Sequence, residues 1–303
     1  MTETPDFIVY AQHGWADNHK AIAKLTKELN ISKARIITPN LGWIRTWLRI
    51  EPLIEQVEQK AIETIATHPN TPMRIIGHSM GGLIWLEVLN RHPEWHSKVE
   101  SLVLIASPVG GADLARIIDP LGIGIGIARD LSTNRRQMAQ SIAKNIPTLA
   151  IAGDTDQGSD GTINLETTKF DGAKLVILPK LSHEDLKNNW QVATTILKFW
   201  ANPVITAPPP ADFTYKLIER LRLIPGMTDA HQRDFPRAKV YLTFDNGVTL
   251  RTWKNFLQIE HVFVANSQQQ CLYSGFVGWI HLRELHQILE ELLIDSEKPA
   301  QTL

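Results

Sequence analysis

Short apolar runs alternate with longer stretches in which apolar residues recur every three or four positions. Residues 7–10 (FIVY), 35–38 (RIIT), 73–76 (MRII), 101–106 (SLVLIA), 148–152 (TLAIA) and 174–178 (KLVIL) are the short runs. Each is nearly continuous in apolar residues, as in strands buried on both faces. Between them the spacing predicts helices. Residues 17–29 place Ile22, Leu25 and Leu29 on one face, and 51–67 place Leu53, Ile54, Val57, Ala61 and Ile65 together. Residues 81–90 form a third helix, and 184–200 a fourth with Leu186, Trp190, Ala193, Leu197 and Trp200 on its apolar face. Strand and helix in repeated alternation predict right-handed crossovers and an α/β fold, with a mostly parallel central sheet flanked by helices.

One interval breaks the rhythm. Residues 107–146 carry no strand signal and form an insertion in the sheet scaffold. Leu114, Ile117, Ile118, Leu121, Ile123, Ile125 and Ile127 are interleaved there with Gly122, Gly124 and Gly126. Two readings stand side by side: an apolar, flexible lid, or a buried helix that closes the domain.

At 202–211 the sequence reads NPVITAPPPA. Consecutive prolines end a helix and favour an extended spacer. A domain of residues 1–201 therefore precedes a linker, 202–211, and a second unit, 212–303. In that unit the pattern predicts a helix at 213–223, strands at 239–244, 248–253, 260–265 and 270–275, and a helix at 281–294 with Leu282, Leu285, Leu289 and Leu292 on one face. Asp245-Asn246-Gly247 between the first two strands is a hairpin signal. This is a small α+β unit without a catalytic constellation.

Composition narrows the function classes. Lys plus Arg is 31 and Asp plus Glu 32, a net charge of -1, so no basic surface for nucleic acid is indicated. The single cysteine, Cys271, excludes an internal disulfide framework and a Cys-rich zinc site, and fits a reducing compartment. The N-terminal MTETPDFIVYAQHGW has no basic region leading into an apolar one, so no signal peptide is expected. Residues 117–128 (IIDPLGIGIGIA) fall short of the ~20 apolar residues a spanning helix needs. The expectation is a soluble, cytoplasmic protein, with peripheral membrane contact through 117–128 as the alternative.

The chemistry concentrates where residues 73–76 run into Gly77-His78-Ser79-Met80-Gly81-Gly82 and then a helix. Gly-x-Ser-x-Gly between strand and helix is a nucleophile elbow: its glycines relieve a tight turn that lifts the serine hydroxyl above the sheet edge. The turn also aims the Met80 N–H at a developing oxyanion. A serine hydroxyl needs a base, and the base needs an orienting carboxylate. In this fold class both follow the serine in the chain, acid first. His92 and His96, in RHPEWH, come too soon and read as solvated loop residues. His183, in KLSHED after the last strand, is the candidate base. The acid lies in GDTDQGSDGTIN, where Asp154, Asp156 and Asp160 compete. Asp160 is preferred because the β-branched pair after Gly161 can pack back on the core, while Asp154 and Asp156 suit turn-stabilising roles. After the first strand, Gln12-His13-Gly14-Trp15 supplies a second oxyanion donor, the N–H of Trp15, with His13 holding the loop.

Taken in order, HGW, GHSMGG, SPVGGADLA, DGTINLETT and LSH resemble the α/β-hydrolase superfamily over residues 7–200. The resemblance is strongest to its lipase and esterase branch, which includes bacterial triacylglycerol lipases and GPI inositol-deacylase-like hydrolases. It implies a Ser79-Asp160-His183 triad with oxyanion donors at Trp15 and Met80, and a minimal sheet without the extra antiparallel strands of larger members. Val109 and Ala112 stand where the family carries His and Ser, so the polar role of that segment does not carry over. Residues 212–303 have no counterpart.

The expected activity is hydrolysis of carboxylic esters with an apolar acyl group, on small-molecule or lipid substrates. Thioesterase, amidase and acyltransferase chemistry use the same triad, and a non-catalytic binding protein keeps the same scaffold. Trp43, Trp47 and Leu121 are the candidate pocket residues. Arg135-Arg136 reads as a solvated loop charge or, alternatively, as a steering site for an anionic head group. No metal or cofactor is required, and a protein partner for residues 212–303 is not specified by the sequence.

Overall fold

The computed structural model describes residues 5–111 and 126–297. The chain divides into two compact units, Met1–Pro208 and Pro209–Leu303, a boundary that falls inside the proline-rich segment.

In chain order the first unit contains β1 (Phe7–Gln12), α1 (His19–Glu28), β2 (Ala34–Ile37), α2 (Glu51–Thr67), β3 (Met73–His78), α3 (Met80–Arg91) and β4 (Val99–Ile105). It continues with α4 (Ile127–Ser132), α5 (Arg136–Ala143), β5 (Thr148–Asp154), α6 (Leu165–Thr168), β6 (Ala173–Pro179) and α7 (Trp190–Trp200). The six strands form one sheet in the order β2-β1-β3-β4-β5-β6, every pair parallel. Two apolar layers cover it. Tyr10, Ile75, Leu102 and Ala150 face α2, α3 and α5 through Val57, Trp85 and Ile142. Val9, Ile76, Val103 and Ile151 face α1 and α7 through Leu25, Ile196 and Phe199. The central strands are buried on both faces, as their continuous apolar runs predict. The edge strands β2 and β6 leave Ile36 and Ile177 exposed. In-register pairing of Gln12 with Gly77, and of His78 with Ile105, aligns the C-terminal strand ends along one edge, where ligands bind in open parallel sheets.

Three expectations need correction. The helix expected from residue 184 starts at Trp190, because Asn189 caps it by accepting the Gln191 N–H (2.8 Å), and residues 185–187 form a separate 3₁₀ turn. That break rotates the buried face onto Val192, Ala193, Ile196, Phe199 and Trp200, leaving Trp190 and Leu197 exposed. Arg135 and Arg136 are buried, not solvated. Arg135 Nε donates to Glu87 Oε1 at 2.7 Å and Arg136 donates to the Glu166 carbonyl, so both serve as internal braces between α3, the α4–α5 turn and α6. His92 and His96 are structural as well. His92 stacks on Trp95 and bonds Glu58 and Glu94, and His96 bonds the Leu89 carbonyl.

Of the 107–146 insertion, residues 112–125 lie outside the described residues, and Leu121 with them. In its described part, Ile127, Leu131, Ala139, Ile142 and Ala143 are buried in the core on the α2–α3 side of the sheet.

The second unit holds α8 (Phe213–Arg222), β7 (Thr228–Asp229), β8 (Lys239–Thr243), β9 (Thr249–Lys254), β10 (Glu260–Ala265), β11 (Cys271–Val277) and α9 (Leu282–Glu297). The sheet order is β7-β11-β10-β9-β8, all antiparallel. Leu217 and Leu221 of α8 and Leu285, Leu289 and Leu292 of α9 pack on Leu250, Val262, Val264 and Tyr273. This unit therefore has a core of its own.

Candidate active site

The end of β3 places Ser79 at φ 53, ψ -126, a region that side-chain-bearing residues seldom occupy and that costs about 1–3 kcal/mol. Neighbouring backbone holds it there, since Ser79 N–H donates to the Ile105 carbonyl at 2.8 Å. The turn also depends on close approach. A Cβ on Gly81 would lie 2.6 Å from the His13 carbonyl oxygen, and one on Gly14 would lie 2.8 Å from Ser79 Cβ and 3.2 Å from Met80 N. The loop after β1 is thus laid against the turn at Ser79, bringing Gly14 beside the Met80 amide nitrogen.

That loop is clamped from the other side. His13 is fully buried, donates from Nδ1 to the Gly14 carbonyl (3.0 Å) and accepts the Leu41 N–H at Nε2 (3.1 Å). Those two bonds fix the neutral Nδ1–H tautomer, and burial lowers its pKa. Ala16 N–H donates to Thr46 Oγ1, and Trp43 Nε1 donates to the Ala16 carbonyl. The Trp15 ring meets Trp47 edge-on at 4.4 Å between centroids, and Trp47 meets Trp43 at 5.5 Å. Trp43 is 53% exposed and Trp47 38%. Among the described residues, the three indoles form an apolar rim beside the β1 loop.

The loop after β5 separates the three aspartates. Asp154 Oδ1 accepts the Gly158 N–H and Asp156 Oδ1 accepts the Ser159 N–H and hydroxyl, so both stabilise the turn. Asp160 is buried. Its Oδ1 accepts the Thr162 and Ile163 N–H groups (2.9 and 2.7 Å), and its Oδ2 accepts His183 Nδ1–H at 2.7 Å. His183 N–H donates in turn to the Asp160 carbonyl at 3.0 Å. A carboxylate gripped by two amides and pointed at Nδ1 leaves Nε2 of the imidazole as the free basic nitrogen.

His78, inside the elbow motif, carries a second restraint that the sequence reading did not single out. Its Nε2–H donates to the His183 carbonyl at 3.1 Å, and the two rings lie 4.7 Å apart. Burial and then the neighbouring His183 push its pKa well below the ordinary range, so it stays neutral. Ser79 is half-buried, and its hydroxyl has no hydrogen-bond partner among the described residues. The structure thus places the bonded Asp160–His183 pair beside the turn that carries Ser79, without a Ser79–His183 hydrogen bond. Such bonds commonly tighten only with substrate present. Among the described residues no group of three or more His, Cys, Asp or Glu is placed to hold a metal ion.

Against known proteins, the sequence model of the family described as "PGAP1-like alpha/beta domain" matches residues 45–198. No curated protein matches. Among solved structures, Est1E from Butyrivibrio proteoclasticus with bound ferulic acid is similar at a TM-score of 0.52 and 14% identity, covering 67% of this chain and 91% of that one. A gene product of Listeria innocua is similar at a TM-score of 0.50 and 14% identity, covering 66% and 95%. At such identities the likeness is one of fold.

Proposed function

The chain belongs to the PGAP1-like α/β domain family, and from that premise we propose that it is a serine hydrolase of carboxylic esters with an apolar acyl group. Its fold is that of the esterases and lipases of the α/β-hydrolase class. The observation that carries the reading is the 2.7 Å bond from His183 Nδ1–H to a buried, doubly amide-bonded Asp160, beside a serine held at positive φ.

In this reading Ser79 Oγ attacks the ester carbonyl carbon while His183 Nε2 takes its proton. Asp160 keeps the imidazole oriented and stabilises the imidazolium. The Trp15 and Met80 N–H groups receive the negative charge on the carbonyl oxygen. Collapse of the tetrahedral intermediate breaks the ester C–O bond, and the His183 proton goes to the departing alkoxide. Water, deprotonated by His183, then releases the acyl group from Ser79. Trp43 and Trp47 offer apolar area for the acyl chain. Catalysis belongs to residues 1–201 in this scheme.

A fluorophosphonate probe is expected to label the wild-type chain and to leave Ser79→Ala unlabelled. Equal labelling of both would overturn the assignment. Turnover of p-nitrophenyl esters of graded chain length, set against acyl thioesters and anilides, fixes the bond cleaved. Preference for a thioester would move the chain to the thioesterase reading. Probe labelling without turnover on any of them would favour a scaffold used for binding.

A further inference from the structure

The second unit has no part in the chemistry above, yet one end of it is built in an unusual way. The connection between β9 and β10 (residues 255–259) and the one between β11 and α9 (residues 278–281) meet there, because Lys254 and Val277 both pair with Glu260 at the same end of β10. Trp279 Nε1 fastens them together by donating to the Leu257 carbonyl at 2.9 Å. Four large apolar side chains crown this tip: Phe256 is 90% exposed, Ile280 88%, Trp279 65% and Leu257 45%. Exposed apolar residues scattered singly need no explanation, but four on two fastened loops do.

We propose that this tip inserts into the interfacial layer of a phospholipid bilayer and docks the chain on a membrane surface. The first argument is backbone chemistry. A loop entering a lipid phase must satisfy its polar groups internally. Asn255 does this for part of the β9–β10 connection. Its Oδ1 accepts the Leu257 and Ile259 N–H groups (2.9 and 3.0 Å). Its N–H donates to the Ile259 carbonyl, and its carbonyl accepts the Gln258 N–H. The indole N–H, the polar atom a tryptophan usually leaves for water, is already used within the tip.

Shape and charge point the same way. Three of the four apolar residues, Phe256, Leu257 and Ile280, stand exposed on the loops outside any described groove, which suits a deformable phase. Behind them charges of both signs alternate. Lys254 pairs with Glu260, His286 also bonds Glu260, and His281 lies 4.0 Å from Glu284. Beside Trp279 a shallow cleft of about 580 Å³ carries Arg283, His286 and Glu290. A collar carrying both signs close to balance complements a zwitterionic headgroup layer. Docking by apolar insertion at such a collar is nearly independent of salt, unlike docking through a polybasic patch.

The test uses the full chain with phosphatidylcholine vesicles in a flotation assay, at low salt and at high salt. The wild type is expected to float with the vesicles under both conditions. Phe256→Ser/Ile280→Ser, which changes only exposed side chains, is expected to lose roughly tenfold or more in partitioning while keeping its thermal unfolding midpoint. Brominated lipid is expected to quench tryptophan fluorescence, and Trp279→Phe to remove most of that quenching. No flotation of the wild type, equal flotation of the double variant, or flotation abolished by salt would each overturn the proposal. So would a wild-type dimer in sedimentation that the double variant dissociates while neither protein binds vesicles, since the tip would then be a contact between two copies.

Discussion

Asp160 differs from its two neighbours in the same loop in its burial and in what its oxygens meet. Asp154 and Asp156 spend theirs on the turn, while Asp160 offers one oxygen to two amides and the other to His183. Replacing it with Asn keeps the shape but reverses the polarity at the imidazole. The amide NH₂ then favours the Nε2–H tautomer, which cannot accept the serine proton. Asp160→Asn is therefore expected to lower kcat by roughly 10³–10⁴-fold, in line with triads elsewhere. Asp154→Asn and Asp156→Asn keep their acceptor oxygen and are expected to stay within about threefold of wild type on the same ester. Full activity of Asp160→Asn would remove it from the mechanism. Spacing alone put three aspartates in reach of the site. The β-branched pair after Gly161 already favoured Asp160, and the hydrogen bond to His183 across 23 residues, which no local pattern encodes, supports that preference.

Among the elements, the central strands of the first unit were legible because a parallel strand buried on both faces is nearly continuous in apolar residues, while the edge strands β2 and β6 kept apolar runs despite one exposed face. The tight turn between β3 and α3 was legible for a related reason, since Gly77 and Gly81 sit where a Cβ would collide with backbone. Other elements were hidden by local capping and by partners remote in sequence. Asn189 shifted the start of α7 and with it the apolar face. Glu87, 48 residues upstream, buried an arginine that looked solvated. Two-residue β7 is too short to show a period. The rigidity of the elbow can be tested at Gly81. A methyl there meets the Gln12 and His13 carbonyls, both backbone and both inside the sheet–loop junction, so neither can give way cheaply. Gly81→Ala is expected to cost about 1–3 kcal/mol in urea unfolding, the usual range for overpacking. It should also depress probe labelling of Ser79, because the β1 loop that carries the Trp15 N–H is displaced. Unchanged stability would mean the loop is not seated on the elbow as described.

On the scale of the whole molecule, the first unit buries two neutral imidazoles, His13 and His78, whose pKa values burial lowers. In the unfolded chain both return to an ordinary histidine pKa of about 6.5. Between their lowered folded values and that figure, the unfolded state binds more protons than the folded one, so stability rises with pH across the window and levels off above it. Acidification from neutral pH therefore destabilises the first unit, by up to about 1.4 kcal/mol per pH unit for each of the two histidines. The loss has a structural route. A proton on His13 Nε2 would face the Leu41 N–H that it now accepts, and a charged His78 would stand beside His183. Seven of the nine tryptophans belong to the first unit, so fluorescence-monitored urea unfolding at pH 7.5, 6.5 and 5.5 reports mainly on it. The midpoint is expected to fall little from pH 7.5 to 6.5 and clearly more from 6.5 to 5.5, and the fall to shrink in His78→Phe, which removes one of the two buried protonation sites. A midpoint constant from pH 7.5 to 5.5 would show that neither imidazole is held neutral against the unfolded chain.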